Sequence, residues 1–176
     1  MVELVYETHS ITLDNERGIA TGWLPGKLSQ AGRAGARALG ERRRDDGIAC
    51  VFTSDLGRAV ETAEIAFAGS GIELRRDARL RECNYGELNG APVARLEPRG
   101  RWIDERFPGG ESWRDAVERT RSLLRSVAEE FDGRRILLIG HSAQRYALEN
   151  LLSGRALEEV VGAPFEWREG WEYLLR

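Results

Sequence analysis

At 176 residues, 41% of them hydrophobic, the chain is long enough to bury a full core as one domain over 1–176, and no apolar run approaches the roughly 20 residues that cross a bilayer. Charge is nearly balanced, with 26 Lys plus Arg against 29 Asp plus Glu and a formal net of -3, which argues against a protein that coats nucleic acid. Lys27 is the lone lysine. Composition bias accounts for most of the arginines, although arginine is the better-shaped residue wherever phosphate is gripped bidentately. The N-terminus has no basic stretch leading into an apolar one, so the expectation is a cytoplasmic protein that does not engage membranes. Cys50 and Cys83 follow neither metal-ligand nor redox spacing and read as two buried free thiols.

The chain opens on a β-favouring run at 4–8 that breaks at once into His9 and Ser10. Residues 13–27 are rich in glycine and turn formers, have no clean period, and predict a long loop of the kind that serves function. Ser29 is placed to cap an amphipathic helix reaching Arg44, in which glycines at 32, 35 and 40 weaken intrinsic helix propensity. Residues 48–53 form a continuous apolar run, as expected of a strand buried on both faces. Ser54 and Asp55 can cap the next helix, which ends at the glycines of 69–71, and 72–75 predicts another short strand. Residues 77–107 lack regular patterning, and their 89–107 portion is expected to shape substrate specificity. A long helix over 112–131 follows, then a turn, a buried strand at 136–139 and a helix over about 143–152. The tail predicts two short strands, 163–167 and 171–175, joined through Glu169 and Gly170.

Strands alternating with helices indicate an α/β fold, a mainly parallel sheet with helices on both faces. Ligands of such sheets bind beyond the carboxyl ends of the strands. The chain's two histidines, His9 and His141, both fall there, each followed by a serine, and so does the 54–58 segment. A neutral imidazole at His9 can act as a nucleophile. Arg58, four residues past Ser54, can reach over a helix N-terminus that itself attracts anions. His141 offers a second imidazole, and Glu82 a general acid. Those four make a phosphoryl-transfer set that needs no metal and no cofactor. Each also has a plainer role: a hydrogen-bonded structural histidine, a surface arginine, a loop carboxylate. Glu111 reads as a helix-start carboxylate, Asn15 as a turn residue and Trp23 as a lid over the core.

Five blocks, taken in order, resemble the histidine phosphatase superfamily in its phosphoglycerate mutase-like branch. They are Thr8-His9-Ser10-Ile11-Thr12 with Asn15, Thr53–Ala63 with Arg58, Leu80-Arg81-Glu82, Pro108–Ser112, and Gly140-His141-Ser142. The resemblance implies a three-layer phosphoglycerate mutase-like fold and a two-step reaction on a small phosphorylated metabolite. His9 would take the phosphoryl group while Glu82 protonates the leaving oxygen, and water would then release phosphate. Arg58 and His141 would hold the equatorial oxygens, with Asn15 and a backbone amide near Ser10 adding donors and with Thr8 and Ser142 also at the phosphate. There are four departures, two of them Ser10 for the usual glycine after the histidine and Ile11 for the usual acidic or amide residue. Thr8 occupies the place of the family's arginine before the nucleophile, and Ser142 follows His141 where glycine is usual. Arg145, one turn beyond His141, and Arg17 are the candidates to supply the missing guanidinium. The expected activity is a phosphomonoesterase. A pseudo-enzyme that binds a phosphate-like anion or a partner is the alternative, and a phosphomutase ranks third.

Overall fold

A computed structural model describes residues 1–176. In chain order its regular elements are β1 (Val2–Thr8), α1 (Leu13–Glu16), β2 (Ile19–Ala20), α2 (Gln30–Arg43), β3 (Ile48–Thr53), α3 (Gly57–Phe67), β4 (Glu73–Arg76) and β5 (Ala91–Pro92). They continue with α4 (Trp113–Glu130), β6 (Arg135–Gly140), α5 (Ser142–Ser153), α6 (Leu157–Gly162) and β7 (Trp171–Leu175). Five strands form one sheet in the order β4-β3-β6-β1-β7, parallel except for β7, which runs antiparallel to β1.

Side chains alternate across a strand, so each buried strand feeds two cores. Val5, Val51, Leu137 and Ile139 face one way and meet Leu39 of α2 with Ala63 and Phe67 of α3. Leu4, Tyr6, Phe52, Ile136 and Leu138 face the other, against Leu123, Leu124 and Val127 of α4 and Leu148 of α5. The result is helix, sheet, helix, as the alternating pattern implied.

Register places the chemistry. Thr8 of β1 lies opposite Gly140 of β6, and Thr53 of β3 opposite Ile139, so the three strands finish level. His9 N–H donates to the Gly140 carbonyl at 2.9 Å, extending the pairing one residue past the strand. The segments that begin with His9, Ser54 and His141 therefore leave the sheet side by side.

Three expectations are corrected. Residues 13–27 are not a plain loop. Thr12 caps the short helix α1 through a reciprocal pair with Asn15, and β2 pairs with β5. Residues 163–167 form no strand, because Pro164 has no N–H to donate and β1 is already paired along both edges by β6 and β7. Residues 89–107 are mainly 3₁₀ turns that build a third core. Trp102 there stacks on Phe107 with centroids 4.4 Å apart, among Trp113, Tyr146 and Leu157. Cys50 and Cys83 are free and buried. No helix is long and apolar enough to cross a membrane.

The glycines of α2 serve close approach. A Cβ at position 40 would clash with the Ala66 carbonyl of α3, and one at position 32 with the Ile11 carbonyl just beyond His9. Alanine at position 40 would gain about 1 kcal/mol of helix propensity, but overpacking against a backbone atom costs about 1–3 kcal/mol. Gly40→Ala is therefore expected to lower the urea midpoint. A raised midpoint would show that α2 and α3 can separate freely.

Candidate active site

Four of the side chains read from the sequence meet at the carboxyl edge of the sheet. Nδ1 of His9 is held by the carbonyl of Ser10 at 2.8 Å, so Nδ1 carries the proton and Nε2 keeps its lone pair. Arg58 Nε lies 3.4 Å from that Nε2. The rest of the Arg58 guanidinium is anchored, with Nη1 donating to the Leu24 carbonyl and Nη2 to the Gly22 carbonyl, each at 2.8 Å. Residues 13–27 thus serve the site by supplying two carbonyls that aim a buried arginine. The His141 ring stands 5.0 Å from the His9 ring, centroid to centroid.

His141 is fully buried and fixed from several sides. Its Nε2 is 2.7 Å from Ser54 Oγ, its N–H donates to Gln144 Oε1 at 3.0 Å, and its carbonyl accepts from Tyr6 Oη at 2.6 Å. Its Nδ1 is buried and has no partner. When Ser54 donates to Nε2, the imidazole proton sits on Nδ1, leaving one unsatisfied donor beside His9. A buried unpaired donor is costly, and an anion would satisfy it.

Glu82 is seated at the start of α5. Its Oε1 accepts from the N–H groups of Cys83 (2.9 Å) and Ala143 (3.0 Å), and its Oε2 from Ser142 N–H at 3.2 Å. Its backbone is clamped as well, since the Glu82 carbonyl accepts from Trp23 Nε1 at 2.7 Å and Arg119 Nη2 at 2.8 Å. Trp23 is therefore a strut for Glu82 more than a lid. Glu111 belongs to the same brace, accepting from Arg119 and from Asn84 N–H, while Ser112 caps α4.

Most other expected donors are engaged elsewhere. The Ser10 N–H already donates to Thr62 Oγ1 at 3.0 Å, and the Ser142 N–H goes to Glu82, so neither is free for an anion. Asn15 borders the cavity beside His9, and because its Oδ1 accepts the Thr12 N–H as a cap, its Nδ2 remains the donor available there. Ser54 and Asp55 do not cap α3 at its start, Leu56. Ser54 turns to His141, and Asp55 pairs with Arg81. Arg145 does not fill the place left by Thr8. Its Nη1 donates to Tyr173 Oη at 2.9 Å and pairs with Glu149 at 2.5 Å, while its guanidinium lies 4.5 Å over the Trp171 ring. Arg17 is exposed and does not border the cavity.

That cavity, about 400 Å³, has Thr8, His9, Ser10, His141 and Ser142 in its walls. Among its other contributors, sequence reading missed Glu7, Leu39 and Arg42 and the aromatic pair Phe165 and Trp167 from the tail. It also missed the positioning roles of Ser54 and Thr62, although both lie inside a block that carried the resemblance. No three His, Cys, Asp or Glu side chains come close enough together to hold a metal ion.

The sequence profile of the histidine phosphatase superfamily, branch 1, matches residues 8–164 and so takes in all four converging residues. The chain belongs to that superfamily. It is 32% identical, over 96% of its length and 79% of the relative's, to a probable phosphoglycerate mutase GpmB of Citrobacter koseri. Among solved structures it resembles Bacillus stearothermophilus YhfR, with TM-score 0.84, 26% identity, and coverage of 96% of this chain and 88% of that one. It also resembles a mycobacterial glucosyl-3-phosphoglycerate phosphatase in complex with VO3, with TM-score 0.79, 28% identity, and coverage of 92% and 87%.

Within this histidine phosphatase fold, burial and then the Arg58 charge lower the His9 imidazole from 6.5 to about 3, against a smaller opposing pull from the Ser10 carbonyl. His141 is pushed well below the ordinary imidazole range by burial, then by Arg58 and His9. Both rings are neutral when folded, but in the unfolded chain they take up protons below about pH 6.5. The unfolded state therefore binds more protons, and stability present above that pH is lost as pH falls toward about 3. Each histidine should contribute a slope approaching 1.4 kcal/mol per pH unit, roughly, well inside that window. Urea midpoints followed from pH 7 to pH 4 should fall less steeply for His9→Asn than for the wild type. Identical slopes would contradict a neutral His9.

Proposed function

We propose that this histidine phosphatase hydrolyses a small phosphomonoester through a phosphohistidine at His9. The observation that carries the reading is the pinned tautomer. Nδ1 is bonded to the Ser10 carbonyl, while the Nε2 lone pair accepts from Arg58 Nε at 3.4 Å, a long contact that an incoming phosphoryl group can displace. In the first step the Nε2 lone pair attacks phosphorus, the bond to the leaving oxygen breaks, and that oxygen takes a proton from the Glu82 carboxyl. The histidine then carries positive charge, and the Nδ1–H bond to the Ser10 carbonyl strengthens to meet it. In the second step water attacks phosphorus and gives its proton back to Glu82, and the N–P bond breaks to release phosphate.

Phosphoryl transfer asks mainly for positioning and for stabilisation of charge on the equatorial oxygens. Arg58 and the unpartnered Nδ1 of His141 are the groups present for that task. No metal enters the scheme. One observation favours a second reading, an anion-binding protein with little turnover. With Thr8 in place of arginine, and with Arg145 engaged elsewhere, the pocket has one guanidinium at the reacting histidine. Retention of all four converging groups supports the enzyme.

His9→Ala should reduce hydrolysis of 4-nitrophenyl phosphate by about a thousandfold or more while leaving the urea transition cooperative. Rapid quenching of the wild type with ³²P-labelled ester should trap an acid-labile, alkali-stable label that the variant lacks. If the wild type turns over no ester and takes up no label, the enzyme reading fails. Phosphate binding measured on that same protein then decides for the anion-binding alternative.

A further inference from the structure

The cavity beside His9 is larger and less polar than a phosphoryl group requires. At about 400 Å³ it lies within the range of sites that enclose a whole small ligand. It meets the four converging groups at His9, His141 and Ser142, whose N–H donates to Glu82 Oε2 at 3.2 Å, while Arg58 and Glu82 themselves lie behind its wall. From there it continues past Thr8, a short side chain where relatives place a long cationic one, to α2 and to the irregular segment before β7.

Four apolar side chains line that extension: Ile11, Leu39, Phe165 and Trp167. Phe165 is 58% exposed and Trp167 63% exposed, so their rings are not spent on the core. The segment that carries them is tied down, since its Glu169 carbonyl accepts from Arg43 Nη2 at 2.9 Å. The one cation in this wall, Arg42, already faces the Glu7 carboxylate at 3.2 Å, and Glu7 is shared with Arg43 at 2.9 Å. A second anionic group on a substrate would find its counter-charge taken, whereas a flat apolar group would find two aromatic faces opposite aliphatic side chains.

We propose that this extension is the leaving-group subsite, and that the preferred substrate is the phosphomonoester of an apolar, planar alcohol. Phe165 and Trp167 determine specificity, and Thr8 keeps the passage open. The proposal rests on the phosphatase reading for the placement of phosphate at His9, and its test is built to separate the two.

Substrates are compared in pairs matched for leaving-group acidity, so that apolar area is the variable: 2-naphthylmethyl against ethyl phosphate, and 2-naphthyl against phenyl phosphate. Burying the added aromatic surface, one ring in the aryl pair and two in the alkyl pair, should raise kcat/KM by about tenfold or more within each pair. An ester bearing a carboxylate, such as 3-phosphoglycerate, should fall with the small ones. Trp167→Ala and Phe165→Ala should each cut the naphthyl preference several-fold with little change for ethyl phosphate, and Trp167→Phe should restore most of it. Thr8→Arg, which fills the passage, should collapse the ratio whatever it does to the rate. If naphthyl and small esters are turned over equally and the aromatic variants leave the ratios unchanged, the subsite is refuted while the phosphatase reading stands. If no ester is turned over, the same preference is measured as binding of 2-naphthylmethylphosphonate against methylphosphonate by calorimetry. Tenfold tighter naphthyl binding, lost in Trp167→Ala, upholds the subsite without catalysis, and equal affinities overturn it.

Discussion

Arg58 Nε stands 3.4 Å from His9 Nε2, and much of the carboxyl edge of the sheet is arranged around that approach. A guanidinium beside an imidazole disfavours the imidazolium, so the contact persists only with a neutral ring and an arginine held from behind. Two carbonyls of the 13–27 segment, from Gly22 and Leu24, do the holding. The Ser10 carbonyl turns the imidazole so that its lone pair, not its proton, faces the cation. In the proposed reaction, the same charge that keeps His9 unprotonated attracts the anion that it attacks. Burial and the Arg58 charge act in one direction on the ring, and the hydrogen bond to the Ser10 carbonyl opposes them only weakly.

Thr8 changes the balance of this site from charge toward shape. The arginines near enough in sequence to compensate are committed to the architecture: Arg145 to Glu149, Tyr173 and Trp171, and Arg42 and Arg43 to Glu7. Those commitments join β7 to α5 and α2 to β1, so freeing one guanidinium for phosphate would break part of the network around Glu149, shared with Arg155 and Tyr173, or around Glu7, shared by Arg42 and Arg43. The pocket instead keeps one aimed arginine and gains volume.

The sheet, its flanking helices and the four converging groups were legible because they are written locally. Apolar runs mark β1, β3 and β6, and a histidine or a serine-led turn follows each of them. The rest depends on contacts between residues far apart in the chain. Nothing around Ser54 reveals that its hydroxyl serves a histidine 87 positions later instead of capping α3. Arg145 looked available because its partners, Trp171 and Tyr173, lie on a strand whose place in the sheet the local pattern does not fix. Residues 163–167 read as a strand by composition, yet both edges of β1 are occupied, so their aromatic side chains are left at the cavity. The 89–107 segment, irregular in sequence, turned out to bury its apolar residues in the third core.

The claim that ties these observations together is a neutral His9 with its proton on Nδ1. A long-range ¹H–¹⁵N correlation spectrum of the histidine side chains reads that state directly. The expected result is a His9 Nε2 resonance at the position of an unprotonated imidazole nitrogen, with Nδ1 protonated, unchanged from pH 8 down to pH 5. A proton on Nε2, or a titration midpoint near 6.5, would contradict the account.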